Sequence, residues 1–139
     1  MKTPRQWASY LFTRGGIVFM QVLAALPLGL VRSMGKALGW FLYLAVSSRR
    51  HVVQRNLRLC FPELTDRERV ALARQHFVYF AQAWLDRSWI WHAPAHVVAR
   101  RLRLTGAVHE LEGTQPTVIF APHFVGLDPG WTAITQQVP

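Results

Sequence analysis

Cysteine, charge and, in the first half of the chain, acidic residues are all scarce. A single cysteine, Cys60, among 139 residues excludes an internal disulfide. It fits a reducing compartment, where it serves as a small core hydrophobe. Only 17% of the residues are charged against 51% hydrophobic, a balance too apolar for a disordered chain. From Met1 to Pro62 there are nine basic residues and no Asp or Glu; from Glu63 onward seven basic residues balance seven acidic ones. The whole net charge of +9 therefore sits in the more apolar part of the chain. No internal repeat, low-complexity segment or nucleic-acid motif is present. Basic residues set between long apolar runs match an anionic membrane surface, and nucleic acid is a poor match.

The first apolar run, Gly15 to Val31, is 17 uncharged residues long. As a helix it reaches ~25 Å, a little short of the ~30 Å hydrocarbon layer, and Pro27 kinks or ends it. A second run, Ala37 to Val46, is too short to span alone. Basic residues flank both runs, so loop charge gives no orientation. Two arrangements fit: one marginal spanning helix, or a helical pair lying in the interface. Both attach the chain to a membrane. A cleaved signal peptide fits less well, since the run is long and no clear small-x-small cleavage site is followed by a secreted-type, cysteine-rich domain. A buried hairpin in a soluble protein is the plainer alternative. His51 to Leu59 interleaves Val52, Val53, Leu57 and Leu59 with Arg55 and Arg58. It reads as a basic amphipathic helix suited to a headgroup layer, or as an ordinary surface helix with solvated arginines.

Thr65-Asp-Arg-Glu68 is a capping box. Val70, Ala73, Phe77, Phe80, Ala81, Trp84 and Leu85 follow at helical spacing, which predicts a helix to about Ile90 with an aromatic core stripe. Pro94 punctuates the chain between His92 and His96, so their metal-ligand spacing is not carried on one helix, and no metal or cofactor is implied. Arg101 to Thr105 alternates like a strand. Thr117 to Ala121 is apolar on both faces and reads as a buried strand of an α/β layer.

His123-Phe-Val-Gly-Leu-Asp128 comes directly after that run, where reacting groups of α/β layers usually lie. Residues five apart on a regular helix point ~140° away from each other, so His123 and Asp128 meet only if the chain turns between them. Gly126 permits such a turn. The carboxylate could then orient the imidazole and leave its other nitrogen free to take a proton. The plainer reading has Asp128 as N-cap and Pro129 as first residue of a helix running through Trp131, Ile134 and Thr135.

Three stretches in order, Arg55-Asn-Leu-Arg-Leu-Cys-Phe-Pro-Glu63, Thr65-Asp-Arg-Glu-Arg69 and Ala121-Pro-His-Phe-Val-Gly-Leu-Asp128, resemble the lauroyl/myristoyl acyltransferases of bacterial lipid A biosynthesis, within the wider glycerolipid acyltransferase group. The resemblance implies transfer of a fatty acyl chain from acyl carrier protein to a hydroxyl of a phosphorylated glycolipid, the lipid A precursor. It places the chain at the bacterial inner membrane with its active site facing the cytoplasm. It maps the family's catalytic His to His123 and the acidic partner to Asp128, where many members carry Glu. It covers nearly all of this chain but only the front half of the family, and so implies a truncated enzyme not expected to act alone.

The expected fold is therefore α/β: membrane-anchoring helices over residues 1–48, then, over 49–139, the first strands and helix of an incomplete acyltransferase domain, with helix dominating throughout. Two other functions compete with this one. A membrane-attached interaction module without catalysis would use His123 and Asp128 only for a turn and a cap. A nucleic-acid binder would need salt-sensitive binding to nucleic acid and none to anionic vesicles.

Overall fold

The computed structural model describes residues 3–113 and 116–138. Its elements are helices: α1 (Pro4–Ala25), α2 (Leu28–Ala45), α3 (Ser47–Cys60), α4 (Asp66–His92), α5 (Ala95–Arg101) and α6 (Leu127–Gln137), with a 3-10 turn at Val108–Leu111. Two compact units emerge, a central one of Pro27–Asp86 and a terminal one of Met1–Leu26 with Arg87–Pro139.

No strand forms among the described residues, which corrects the expected α/β class. Residues 117–121 are not in regular structure, and Val118 and Phe120 are 96% and 89% exposed, so the run is not buried. Arg101 closes α5, and residues 102–105 are irregular. An extended segment becomes a strand only when its N–H and C=O groups meet a neighbouring backbone. Apolarity signals a wish for burial, and it does not supply that partner.

Helix α1 starts earlier than the apolar run suggested. Thr3 and Gln6 form a reciprocal capping box, and the helix runs 22 residues, ~33 Å, to Ala25. It takes in Arg5 and Arg14 and stops before Leu26-Pro27, so Pro27 ends the helix and divides the Gly15 to Val31 run. Residues Arg5–Ala25 are long and apolar enough to cross a membrane, by length and composition. In the terminal unit Leu23, Trp89, Ile90, Val98 and Ala133 are buried.

In the central unit, α2 meets α4 through glycines. A Cβ on Gly39 would lie 2.7 Å from the Phe77 carbonyl oxygen and nearer still to Val78 Cα; one on Gly35 would lie 2.8 Å from Gln82 Cα. Both obstacles are backbone and cannot swing away. Tyr43, Ala73 and Phe77 form the core, with Leu42, Val53 and Leu57 against it. Tyr43 packs edge-on to Phe77 at 5.6 Å. Helix α3 stays at the surface with no fully buried residue and ends before Phe61-Pro62 at Cys60, which is exposed and so is not the core hydrophobe expected from the sequence. Arg50 turns back to donate to the Tyr43 carbonyl at 2.6 Å, satisfying the C-terminus of α2.

Of the expected stripe on α4, Ala73, Phe77, Ala81 and Leu85 are buried, whereas Phe80 and Trp84 remain exposed. At its start, Glu68 accepts from the Thr65 hydroxyl at 2.7 Å and the Thr65 N–H at 2.8 Å, while Thr65 Oγ1 accepts from the Glu68 N–H at 3.3 Å. The Thr65 hydroxyl first, then its N–H, hold Glu68 below the ordinary carboxylate value of 4.5.

Two expected outcomes follow from this packing. Gly39→Ala should destabilise the fold by about 1–3 kcal/mol. Gly16→Ala, with nothing within 4 Å of the added carbon, should be neutral or slightly stabilising. Thermal unfolding by circular dichroism compares them, and equal melting temperatures would refute the close approach. A depressed Glu68 stabilises the fold above the unfolded carboxylate value, and that contribution is lost as pH falls through the folded value. Protection of the amides in the first turn of α4, taken relative to intrinsic exchange at each pH, should therefore decline below about pH 4.5. In Glu68→Gln, which keeps the box but does not titrate, that loss of protection should vanish.

Candidate active site

The terminal unit carries both residues singled out from the sequence. His123 is exposed, in irregular chain before α6. Two backbone bonds shape the turn after it: the Phe124 N–H donates to the Pro122 carbonyl at 2.8 Å, and the Leu127 N–H to the Phe124 carbonyl at 3.1 Å. Gly126 caps the helix at φ −86°, a conformation open to any residue, so the turn does not draw on glycine's freedom.

Asp128 is the second residue of α6 and not its cap; Gly126 holds that place, without a side-chain cap bond. The first turn of a helix favours an anion. The carboxylate is also engaged by a group that the sequence reading did not single out. Arg87, on α4, donates from Nε to Asp128 Oδ2 at 2.6 Å. The Arg87 guanidinium lies 5.9 Å from the Trp91 ring, one helical turn on.

Asp128 forms part of the wall of a cleft of about 360 Å³, with Trp91, Ala121, Leu127, Trp131 and Thr132. A second groove of about 360 Å³ runs beside it, lined by apolar residues including Phe120, Phe124 and Ile134. His123 lines neither of them. Among the described residues no hydrogen bond joins His123 to Asp128. The structure thus puts the imidazole and the carboxylate on either side of one turn and pairs the carboxylate with Arg87. The chemistry available is an exposed imidazole able to exchange protons, and an oriented carboxylate beside apolar clefts flanked by two indoles.

No group of three or more His, Cys, Asp or Glu side chains able to hold a metal ion gathers among the described residues. His92 closes α4, and His96 lies in α5 beyond Pro94.

Comparison with known proteins agrees with the motif reading. The family model for bacterial lipid A biosynthesis acyltransferases matches residues 1–139. The chain belongs to that family. It is 26% identical over 139 residues to the lipid A biosynthesis lauroyltransferase of Escherichia coli (strain K12), covering 98% of this chain and 44% of that protein. It is 27% identical over 140 residues to the lipid A biosynthesis acyltransferase of Haemophilus influenzae, covering 98% of this chain and 43% of that protein. The chain thus spans less than half the length of these two relatives. No solved structure matches.

Proposed function

We propose that this protein transfers a fatty acyl chain from acyl carrier protein to a hydroxyl of a phosphorylated lipid A precursor. In this reading the work is done at the bacterial inner membrane, with the site facing the cytoplasm. The observation that carries the proposal is the Ala121-Pro-His-Phe-Val-Gly-Leu-Asp128 motif inside a family match that runs the length of the chain.

His123 removes the proton from the acceptor hydroxyl as its oxygen attacks the thioester carbonyl carbon. The tetrahedral intermediate then expels the thiolate, which takes the proton back from the imidazolium. An ester and a free thiol result. Asp128 orients the imidazole and steadies its cation. Catalytic hydrogen bonds often tighten only as substrate binds, and the His123–Asp128 bond is expected to form at that point. The exposed Val118, Phe120 and Phe124 beside His123 give an acyl chain an apolar surface to lie on.

The membrane anchor belongs to residues 1–48, and the acyl-transfer residues lie in 49–139. Arg5–Ala25 supplies the helix long enough to span. The exposed Arg49, Arg55 and Arg58 of α3 suit an anionic surface, and they suit an acidic carrier protein. A non-catalytic module in which Asp128 merely caps a helix has less support, because Asp128 sits inside the helix and bonds Arg87.

The test is His123→Ala in the full-length protein, with labelled acyl carrier protein thioester and lipid A precursor as substrates. Transfer should fall about 10²–10⁴-fold, while co-sedimentation with membranes stays unchanged. Transfer at the wild-type rate would remove His123 from the role of base.

A further inference from the structure

We propose that Arg87 is a positioning residue for acyl transfer, holding the Asp128 carboxylate by one oxygen so that the other faces the His123 imidazole during the reaction. The inference rests on the roles given to His123 and Asp128 under the proposed function.

Four observations carry it. The contact is short and charged, Nε to Oδ2 at 2.6 Å, between residues 41 apart in sequence. It is also single. A guanidinium commonly grips a carboxylate with two parallel N–H bonds, yet here no second bond to Asp128 is made, and Oδ1 has no hydrogen-bond partner among the described residues. An ionised carboxylate has lone pairs to spare on that oxygen for an imidazolium N–H. The guanidinium also lies over the ring of Trp91, 5.9 Å from its centroid, and Trp91 shares the cleft wall with Asp128. Finally, the pair is partly open to solvent, with 36% and 38% of the two side chains exposed. Exposed pairs contribute little to stability, so substitution should leave the fold intact and any effect should appear in the rate.

A carboxylate that pivots about χ1 and χ2 spends only part of its time in the orientation that supports the base. Fixing one oxygen removes that freedom before substrate arrives. The effect is confined to the chemical step, because Arg87 is given no contact with either substrate.

The experiment is a double-mutant cycle on acyl transfer by the full-length protein, with kcat and KM measured for Arg87→Gln, Arg87→Lys, Asp128→Asn and the pair Arg87→Gln with Asp128→Asn. We expect Arg87→Gln to lower kcat about tenfold or more, with KM for both substrates within about twofold of wild type. Arg87→Lys, which keeps the charge but not the planar, fixed donor geometry, should recover part of the loss. The double variant should be no slower than Asp128→Asn alone. Melting temperatures close to wild type should accompany every variant; if Arg87→Gln melts early, Arg87→Lys carries the test through its partial loss and the same KM comparison. Wild-type kcat in Arg87→Gln beside a slow Asp128→Asn overturns the inference and leaves the site reading standing. A loss confined to KM, or one that persists in full on the Asp128→Asn background, overturns it too. Wild-type rates in Asp128→Asn overturn the site reading and this inference together.

Discussion

Two glycines set how closely α2 approaches α4, and most of the central unit is built on that closeness. With no Cβ at positions 35 and 39, backbone meets backbone at Gln82, Phe77 and Val78. The polar groups then fall within reach of each other. Gln82 Nε2 donates to the Arg32 carbonyl at 3.0 Å, and Arg32 reaches Asp86 at 3.2 Å. Arg74 lies over both Trp40 and Tyr43, at 5.5 and 5.6 Å from the ring centroids. Each of these contacts needs the helices at a distance that a side chain on Gly39 would forbid. Small-xxx-small packing of this kind works by dispersion and close backbone contact and needs no water to drive it. It therefore serves a protein beside a membrane as well as one in solution.

The terminal unit uses a different logic. Helix α6 buries Ala133, and Gln137 Nε2 donates to the Leu102 carbonyl at 2.8 Å after the end of α5. Those contacts place the helix, and Arg87 then fixes the one carboxylate on its first turn. The residues before α6 are treated otherwise: His123 and its neighbours Phe120 and Phe124 are open to solvent. Under the proposed function, a base that receives a lipid hydroxyl and a thioester needs access, and a carboxylate that steadies it needs restraint. A held Asp128 and an open His123 are consistent with that proposal.

What could be read from the sequence was what depends on near neighbours. The Thr65–Glu68 box lies within four consecutive residues and carries its own partners, so residue types reveal it. Pro27 and Pro94 break helices by their own covalent geometry. The Gly35 and Gly39 contact stayed hidden because a missing side chain leaves no mark in a hydrophobic pattern, and only the facing helix gives it meaning. Arg87 stayed hidden because its partner is 41 residues away and either charge alone reads as surface. Phe80 and Trp84 share the helical spacing of Phe77 and Ala81, yet they fall on the open edge of the stripe, since periodicity gives a face and not its width. Thr117 to Ala121 misled for a related reason. Five apolar residues announce a need for cover, and whether that cover is a pairing backbone is a property of the rest of the molecule.

The energetic scale separates the contacts that hold the fold from the one that shapes the site. Burying a large apolar side chain is worth about 1.5–3 kcal/mol, and the terminal unit buries Leu23, Trp89, Ile90 and Val98 to 6% exposure or less. A half-exposed ion pair contributes about 0.2–1 kcal/mol and is screened by salt. Arg87 and Asp128 are thus the weaker term, and the unit does not rely on them to stay folded. What the pair does supply is direction: a 2.6 Å charged hydrogen bond allows the carboxylate far fewer orientations than water does. An interaction that adds little to stability but is strict in geometry, placed on a motif carboxylate, is what the proposed positioning role calls for.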